Sequence, residues 1–169
     1  MISRKSFSNG RPKDAIALLK ADHATVRHLL SQLEETTPRA QKQRKELLAR
    51  IGVEIRVHAR IEEEIFYPAF RKAAKTGEDD KLFFEAAEEH GLVHTFLPRL
   101  EGTPSAGDLF GARAKVLKDL VEHHAEEEEN ELFPRARKLM DPEDLKELGI
   151  LLADRKADLM NGSLKRRSA

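Results

Sequence analysis

The sequence predicts an all-α protein, an up-down four-helix bundle with an additional C-terminal helix. Three observations predict it. Apolar residues recur at steps of three and four through long segments, which is the period of one helix face. Lys, Arg, Glu, Leu and Ala dominate, a composition that favours helix. Breakers such as Thr36-Thr37-Pro38, Gly102-Thr103-Pro104-Ser105 and Asp141-Pro142 divide the segments. A chain of 169 residues, 40% of them apolar, is long enough for one domain with a real core.

Residues 1–13 form a basic, Ser- and Gly-containing lead, read as flexible, in which Pro12 suits the opening of a helix. The first helix runs from Ala15 to about Glu35, with Ile16, Leu19, His23, Val26, Leu30 and Leu33 on one face. The second runs from about Ala40 to Lys75. Its inward stripe reads Leu47, Ile51, Glu54 or Ile55, His58, Ile61 or Glu62, Ile65 and Ala69, and Thr76-Gly77 ends it. The third runs from about Asp79 to Glu101, with Phe83, Ala87, His90, His94 and Leu97 on one side. The fourth runs from about Ala106 to Leu139. Pro68 and Pro134 are expected to kink the second and fourth helices, because proline frees a carbonyl one turn back. Asp141-Pro142 starts the fifth helix with an N-cap residue and a proline at the first helical position, and Asn161-Gly162 is expected to end it. The bundle and its extra helix thus occupy 14–161, leaving 162–169 as a basic, flexible tail.

Composition excludes several function classes. Without cysteine there are no disulfides or thiolate sites, so His and carboxylates are the only strong metal ligands. Thirty basic and thirty acidic residues cancel, so no net field attracts nucleic acid or an acidic membrane. One Tyr and no Trp make an aromatic platform for single strands unexpected. No run approaches the ~20 apolar residues of a membrane span. The polar start lacks the apolar stretch of a secretory signal, so a cytoplasmic protein is the default expectation.

An internal repeat organises the chain. Asp22-His23-Ala24-Thr25-Val26 resembles Glu89-His90-Gly91-Leu92-Val93, and the segment from His58 to Pro68 resembles that from His124 to Pro134. Two similar helical hairpins make a bundle with approximate two-fold symmetry. The repeated residues are chiefly His and Glu, whereas packing alone would repeat Leu and Ile. Residues at i and i+4 share a helix face. His58/Glu62, His90/His94 and His124/Glu128 have that spacing, and His23 lies on the apolar face of the first helix. Taken singly, a histidine on an apolar face is an ordinary hydrogen-bonded core residue. His28 fits that description or is exposed, and most of Glu62-Glu63-Glu64 and Glu126–Glu129 is a solvated face. Together, five His and two Glu on interior positions of four helices carry a large desolvation cost unless something pairs with them. Two divalent cations would do so, in the place where bundles build dinuclear carboxylate sites. Either His123 or His124 can head the second His–Glu pair. The equal spacing of His58 to Pro68 and His124 to Pro134, and the more apolar stripe Leu117, Val121, His124, Glu128, Leu132, favour His124.

His23, His58-xxx-Glu62, His90-xxx-His94 and His124-xxx-Glu128 resemble the hemerythrin-like, or HHE cation-binding, domain, over about residues 14 to 160. The resemblance implies a hemerythrin-like bundle with two iron ions joined by an oxo or hydroxo group. It implies His90, His94 and His124 on one iron, His23 and His58 on the other, and Glu62 and Glu128 bridging both. The second iron then keeps an open position for dioxygen, peroxide or nitric oxide. Oxygen-carrying hemerythrins have His-xxxx-Asp in the fourth helix where this chain has His124-xxx-Glu128, a departure that weakens the step to oxygen carriage. The functions implied are oxygen or nitric-oxide sensing or a stress response, a diiron enzyme of peroxidase, catalase or ferroxidase type, or a metal-stabilised structural bundle. Tyr67, the only phenol, is expected to pack at one end of the bundle.

Overall fold

A computed structural model describes residues 13–167, with side chains described to residue 163. The expected lead lies outside the described residues apart from Lys13. Asp14 starts helix α1 (Ala15–Glu34): its backbone is extended and its carboxylate accepts the Ala17 N–H at 2.9 Å. Helix α2 (Gln41–Ile61) continues without a break through a π-helical turn at Glu62–Phe66 into α3 (Tyr67–Ala73). Thr76 and Gly77 do more than end that rod. Thr76 is the N-cap of α4 (Gly77–Glu101): it accepts the Asp79 N–H while Asp79 accepts the Thr76 N–H at 3.0 Å. Helix α5 (Asp108–Glu127) repeats the pattern of the first rod, with a π-helical turn at Glu128–Leu132 leading into α6 (Phe133–Leu139). Helix α7 (Pro142–Arg167) runs on through Asn161-Gly162, where a stop was expected. A single helical glycine costs only ~1 kcal/mol, and Leu159 packs on the core just before it.

A π turn directly precedes each of the two prolines expected to kink the helices. Each π turn inserts one extra residue, so that the Tyr67 N–H bonds the Glu62 carbonyl and the Phe133 N–H bonds the Glu128 carbonyl, five residues back. Pro68 and Pro134 follow at once, where the ladder is already disturbed. The insertion rotates the following residues around the axis. Inward positions beyond Glu62 are therefore Phe66, Tyr67 and Phe70, and the expected Ile65 and Ala69 are only partly buried.

Helices α1, α2, α4 and α5 run up and down around one axis. One end of the core joins Ile16, Leu19, Ile61, Phe66, Phe70 and Phe133, and the other joins Leu29, Leu33, Ile51, Leu97, Phe110 and Leu117. Helix α7 lies against α1, α2 and the π turn at Glu62–Phe66, on the side of the first hairpin. Its Gly149 meets the start of α1 so closely that a Cβ there would lie 2.8 Å from Ala15 N. At the opposite end of the bundle, buried Arg44 binds Thr36 and the Ser105 carbonyl and covers the Phe110 ring at 5.0 Å.

Candidate metal centre

Between the two apolar ends lies a layer of buried polar side chains: His23, His58, Glu62, His90, His124 and Glu128. Glu62 is 0% and Glu128 1% exposed. Both sit at the first residue of a π turn, one turn after a histidine on the same helix. His58 Nε2 is 3.1 Å from Glu62 and His124 Nε2 is 3.5 Å from Glu128. The other helices close the layer, with His23 Nε2 3.2 Å from Glu128 and His90 Nε2 3.3 Å from Glu62. The Nε2 atoms face one another in two pairs, His23 with His58 and His90 with His124, each 3.1 Å apart. Six of the seven expected ligands thus converge. Their ligand atoms form two groups, His23/His58/Glu62/Glu128 and Glu62/His90/His124, within 4.8 Å in each.

Electrostatics mark the layer as built for positive charge. Both oxygens of Glu62 and Oε2 of Glu128 are buried without a hydrogen-bond donor. Burial raises the pKa of Glu62, yet His58 and His90 outweigh it and hold the carboxylate well below its usual range. Burial likewise opposes charge on His58, but Glu62, Asp22 and Glu128 push its pKa up to about 10. His90, also opposed by burial, is pushed to about 9 by Glu62, Glu63 and Glu128. Two divalent cations fit this donor set. They would meet the orphaned oxygens and take the Nε2 lone pairs in place of protons.

The outward nitrogens show why the rings point inward. Nδ1 of His23 lies 2.9 Å from Glu129, that of His90 3.0 Å from Glu63, and that of His124 2.8 Å from Glu89. Nδ1 of His58 is 3.6 Å from Asp22, a looser contact. The carboxylates bonded behind His23, His90 and His124 fix those rings and make their inner nitrogens better ligands, while Asp22 faces His58 as a nearby charge. These four carboxylates obey the internal symmetry. The acid before the first histidine of each hairpin serves the second helix (Asp22 to His58, Glu89 to His124). The acid after each buried glutamate serves the other hairpin (Glu63 to His90, Glu129 to His23). Spacing alone marks neither Asp22 nor Glu89 for this role and places Glu63 and Glu129 in mostly solvated runs. The available signal was that the repeat includes them.

His94 is placed differently from its expected role. It is 48% exposed, outside the converged group, with Nε2 3.4 Å from Glu63. With 3.6 residues per turn, either Val93 or His94 can follow His90 inward, and α4 is rotated so that Val93 is buried. Symmetry agrees: His94 corresponds to Arg27, which pairs with Glu129 at 2.7 Å as His94 pairs with Glu63. His123 is 63% exposed and His28 is exposed.

Tyr67 belongs to the layer as well as to the bundle end. Its hydroxyl donates to Glu128 Oε1 at 2.9 Å and lies 3.2 Å from His90 Nε2. Burial raises its pKa well above 10, and Glu128 adds to the effect. The corresponding Phe133 stacks on His23 at 5.7 Å. The two halves therefore differ on this side: one carries a hydroxyl and the other does not. On the opposite side the four inward rings border a cavity of ≈ 30 Å³, walled by Val26, Ile55, Val93 and Val121, with His94 at its edge. A space of ~10–15 Å³ admits one water, so this one suits a ligand of two or three atoms.

Residues 14–136 match the family described as hemerythrin HHE cation binding domain. An uncharacterised protein of Mycobacterium tuberculosis, Rv2633c, is 28% identical over 154 residues, covering 89% of this chain and 90% of its own. A DNA nickase of Nostoc is 28% identical over 120 residues, or 71% of this chain, which spans only 32% of that relative's length. In three dimensions the chain is similar to the crystal structure of an HHE cation binding domain-containing protein from Mycobacterium kansasii, a homologue of Rv2633c. The TM-score is 0.79 and the identity 28%, with 90% of this chain and 91% of that one covered. Among the described residues, no helix is long and apolar enough to cross a membrane.

Proposed function

Starting from the fact that the chain belongs to the hemerythrin HHE cation-binding family, we propose that it holds two iron ions in this layer and binds a small ligand beside them: dioxygen, nitric oxide or peroxide. One observation carries the reading. Two facing pairs of imidazole Nε2 atoms flank two buried carboxylates, three of whose four oxygens lack a hydrogen-bond donor. His23 and His58 would hold one ion, His90 and His124 the other, with Glu62 and Glu128 shared between them. His94, expected as a seventh ligand, borders the cavity and would have to turn inward to join. Tyr67 Oη is a further oxygen donor on the His90 side. Iron would supply the redox and ligand-binding chemistry, as donors of imidazole and carboxylate type suit it. The chain's own contribution is to orient the rings through Glu129, Glu63, Glu89 and Asp22 and to keep bulk water out with the valine wall.

The test is metal analysis of protein expressed with iron, followed by rapid mixing of the reduced protein with nitric oxide or dioxygen. Two irons per chain, near-ultraviolet charge-transfer absorption and a spectral change on mixing are expected. One zinc, or none of either metal, would overturn the dinuclear-iron reading. A second reading, an enzyme that consumes peroxide, is favoured by the Tyr67 hydroxyl, an O–H donor held inside the layer. Catalytic loss of peroxide in the same experiment would select it over simple binding.

A further inference from the structure

The two hairpins are nearly equivalent, but α7 covers only one of them. On the covered side Asp22, which stands behind His58, is paired with the Lys156 ammonium of α7. Its counterpart Glu89, which stands behind His124, has no lysine or arginine partner among the described residues. It faces two α5 side chains one turn apart: His123 Nε2, 3.3 Å from Glu89 Oε1, and Glu127, whose Oε1 is 3.2 Å from the same Nε2. The three ligand atoms lie within 4.8 Å of one another. Glu85 and Glu88 border the same exposed hollow, and no lysine or arginine lines it.

We propose that His123, Glu89 and Glu127 form a separate, exterior binding site for a divalent cation of the zinc or ferrous type. The donor chemistry is one imidazole and two carboxylates, with water completing the shell. Zinc bonds of ~2.0–2.2 Å in tetrahedral geometry place ligand atoms ~3.3 Å apart, the spacing already present between His123 and both carboxylates. The i,i+4 placement of His123 and Glu127 holds two of the donors on one rigid face. Glu89 is fixed by its hydrogen bond to His124 Nδ1, so the third donor is preorganised from the interior. A cation there occupies the place that Lys156 fills on the other hairpin. It balances two adjacent carboxylates that one imidazole leaves in excess. Because Glu89 touches both, the site adjoins the metal layer without sharing an inner ligand with it.

The test is equilibrium dialysis of the iron-loaded protein against zinc, with metal analysis of wild type, His123→Ala and Glu127→Gln. Both side chains are surface groups outside the interior layer, and thermal melts confirm that the variants fold. Wild type takes up one more zinc per chain than either variant, with equal iron in all three. Equal zinc uptake by wild type and variants overturns the proposal, as does no exterior uptake by wild type. If the interior fills with zinc instead of iron, the difference of one zinc between wild type and His123→Ala is still the readout. Failure of the dinuclear-iron reading and failure of this site are therefore distinguishable.

Discussion

Removing the interior metal should destabilise the protein by an amount the layer itself sets. Three buried carboxylate oxygens, both of Glu62 and one of Glu128, have no donor. Each such group costs ~1–3 kcal/mol, or on the order of 3–9 kcal/mol together. At neutral pH, protons on His58 and His90 offset part of this, since their Nε2 atoms lie 3.1 and 3.3 Å from Glu62. The expected loss on chelation is then about 3–5 kcal/mol, or roughly 6–20 °C in Tm at ~2–4 °C per kcal/mol for a domain of this size. The pH dependence has a definite sign. His58 and His90 have raised pKa values in the fold, so their contribution is complete below the unfolded value of 6.5 and is lost as pH rises through about 9 and about 10. Glu62 has a depressed one, so its contribution is complete above 4.5 and is lost as pH falls toward its folded value. Metal-free protein should therefore be most stable between pH 4.5 and 6.5 and weaken toward pH 10. Loaded protein should not show the alkaline decline over that range, because metal replaces those protons. Circular dichroism melts with and without chelator across pH read both effects. Equal Tm with and without metal at neutral pH would show that the layer does not depend on a cation, and a flat metal-free profile from pH 6.5 to 10 would show that the protons on His58 and His90 do not stabilise it.

Three other outcomes are expected. Tyr67→Phe removes the O–H donor on Glu128 and should cost ~1.5–3 kcal/mol in urea unfolding, while metal content persists. Gly149→Ala forces a methyl against the backbone of Asp14 and Ala15 and should lower stability by ~1–3 kcal/mol. An unchanged denaturation midpoint would mean that α7 can shift freely. Arg44→Met strips donors from the Thr36 and Ser105 carbonyls and should cost ~2–4 kcal/mol by calorimetry.

Local pattern in the chain was enough for the class of fold, the helix faces and six of the residues that converge. Periodicity and i,i+4 spacing are local properties, and His23, His58, Glu62, His90, His124 and Glu128 follow from them. The internal repeat also chose His124 over His123, and the structure buries the first and exposes the second. What spacing leaves open is a rotation of a helix by a fraction of a turn. Val93 and His94 are equally good successors to His90 on paper, and only packing of α4 against its neighbours turned Val93 inward. The π turns at Glu62 and Glu128 were hidden for the same reason: an extra residue per turn is tolerated only where tertiary contacts repack around it. Those two insertions brought Tyr67 and Phe133 over the histidines, where the difference between a phenol and a phenyl ring leaves the two halves of the site unlike. The outer carboxylates Asp22, Glu63, Glu89 and Glu129 were visible as repeated letters. Their role required knowing which helix stands behind which imidazole, and that is decided by the assembled bundle alone.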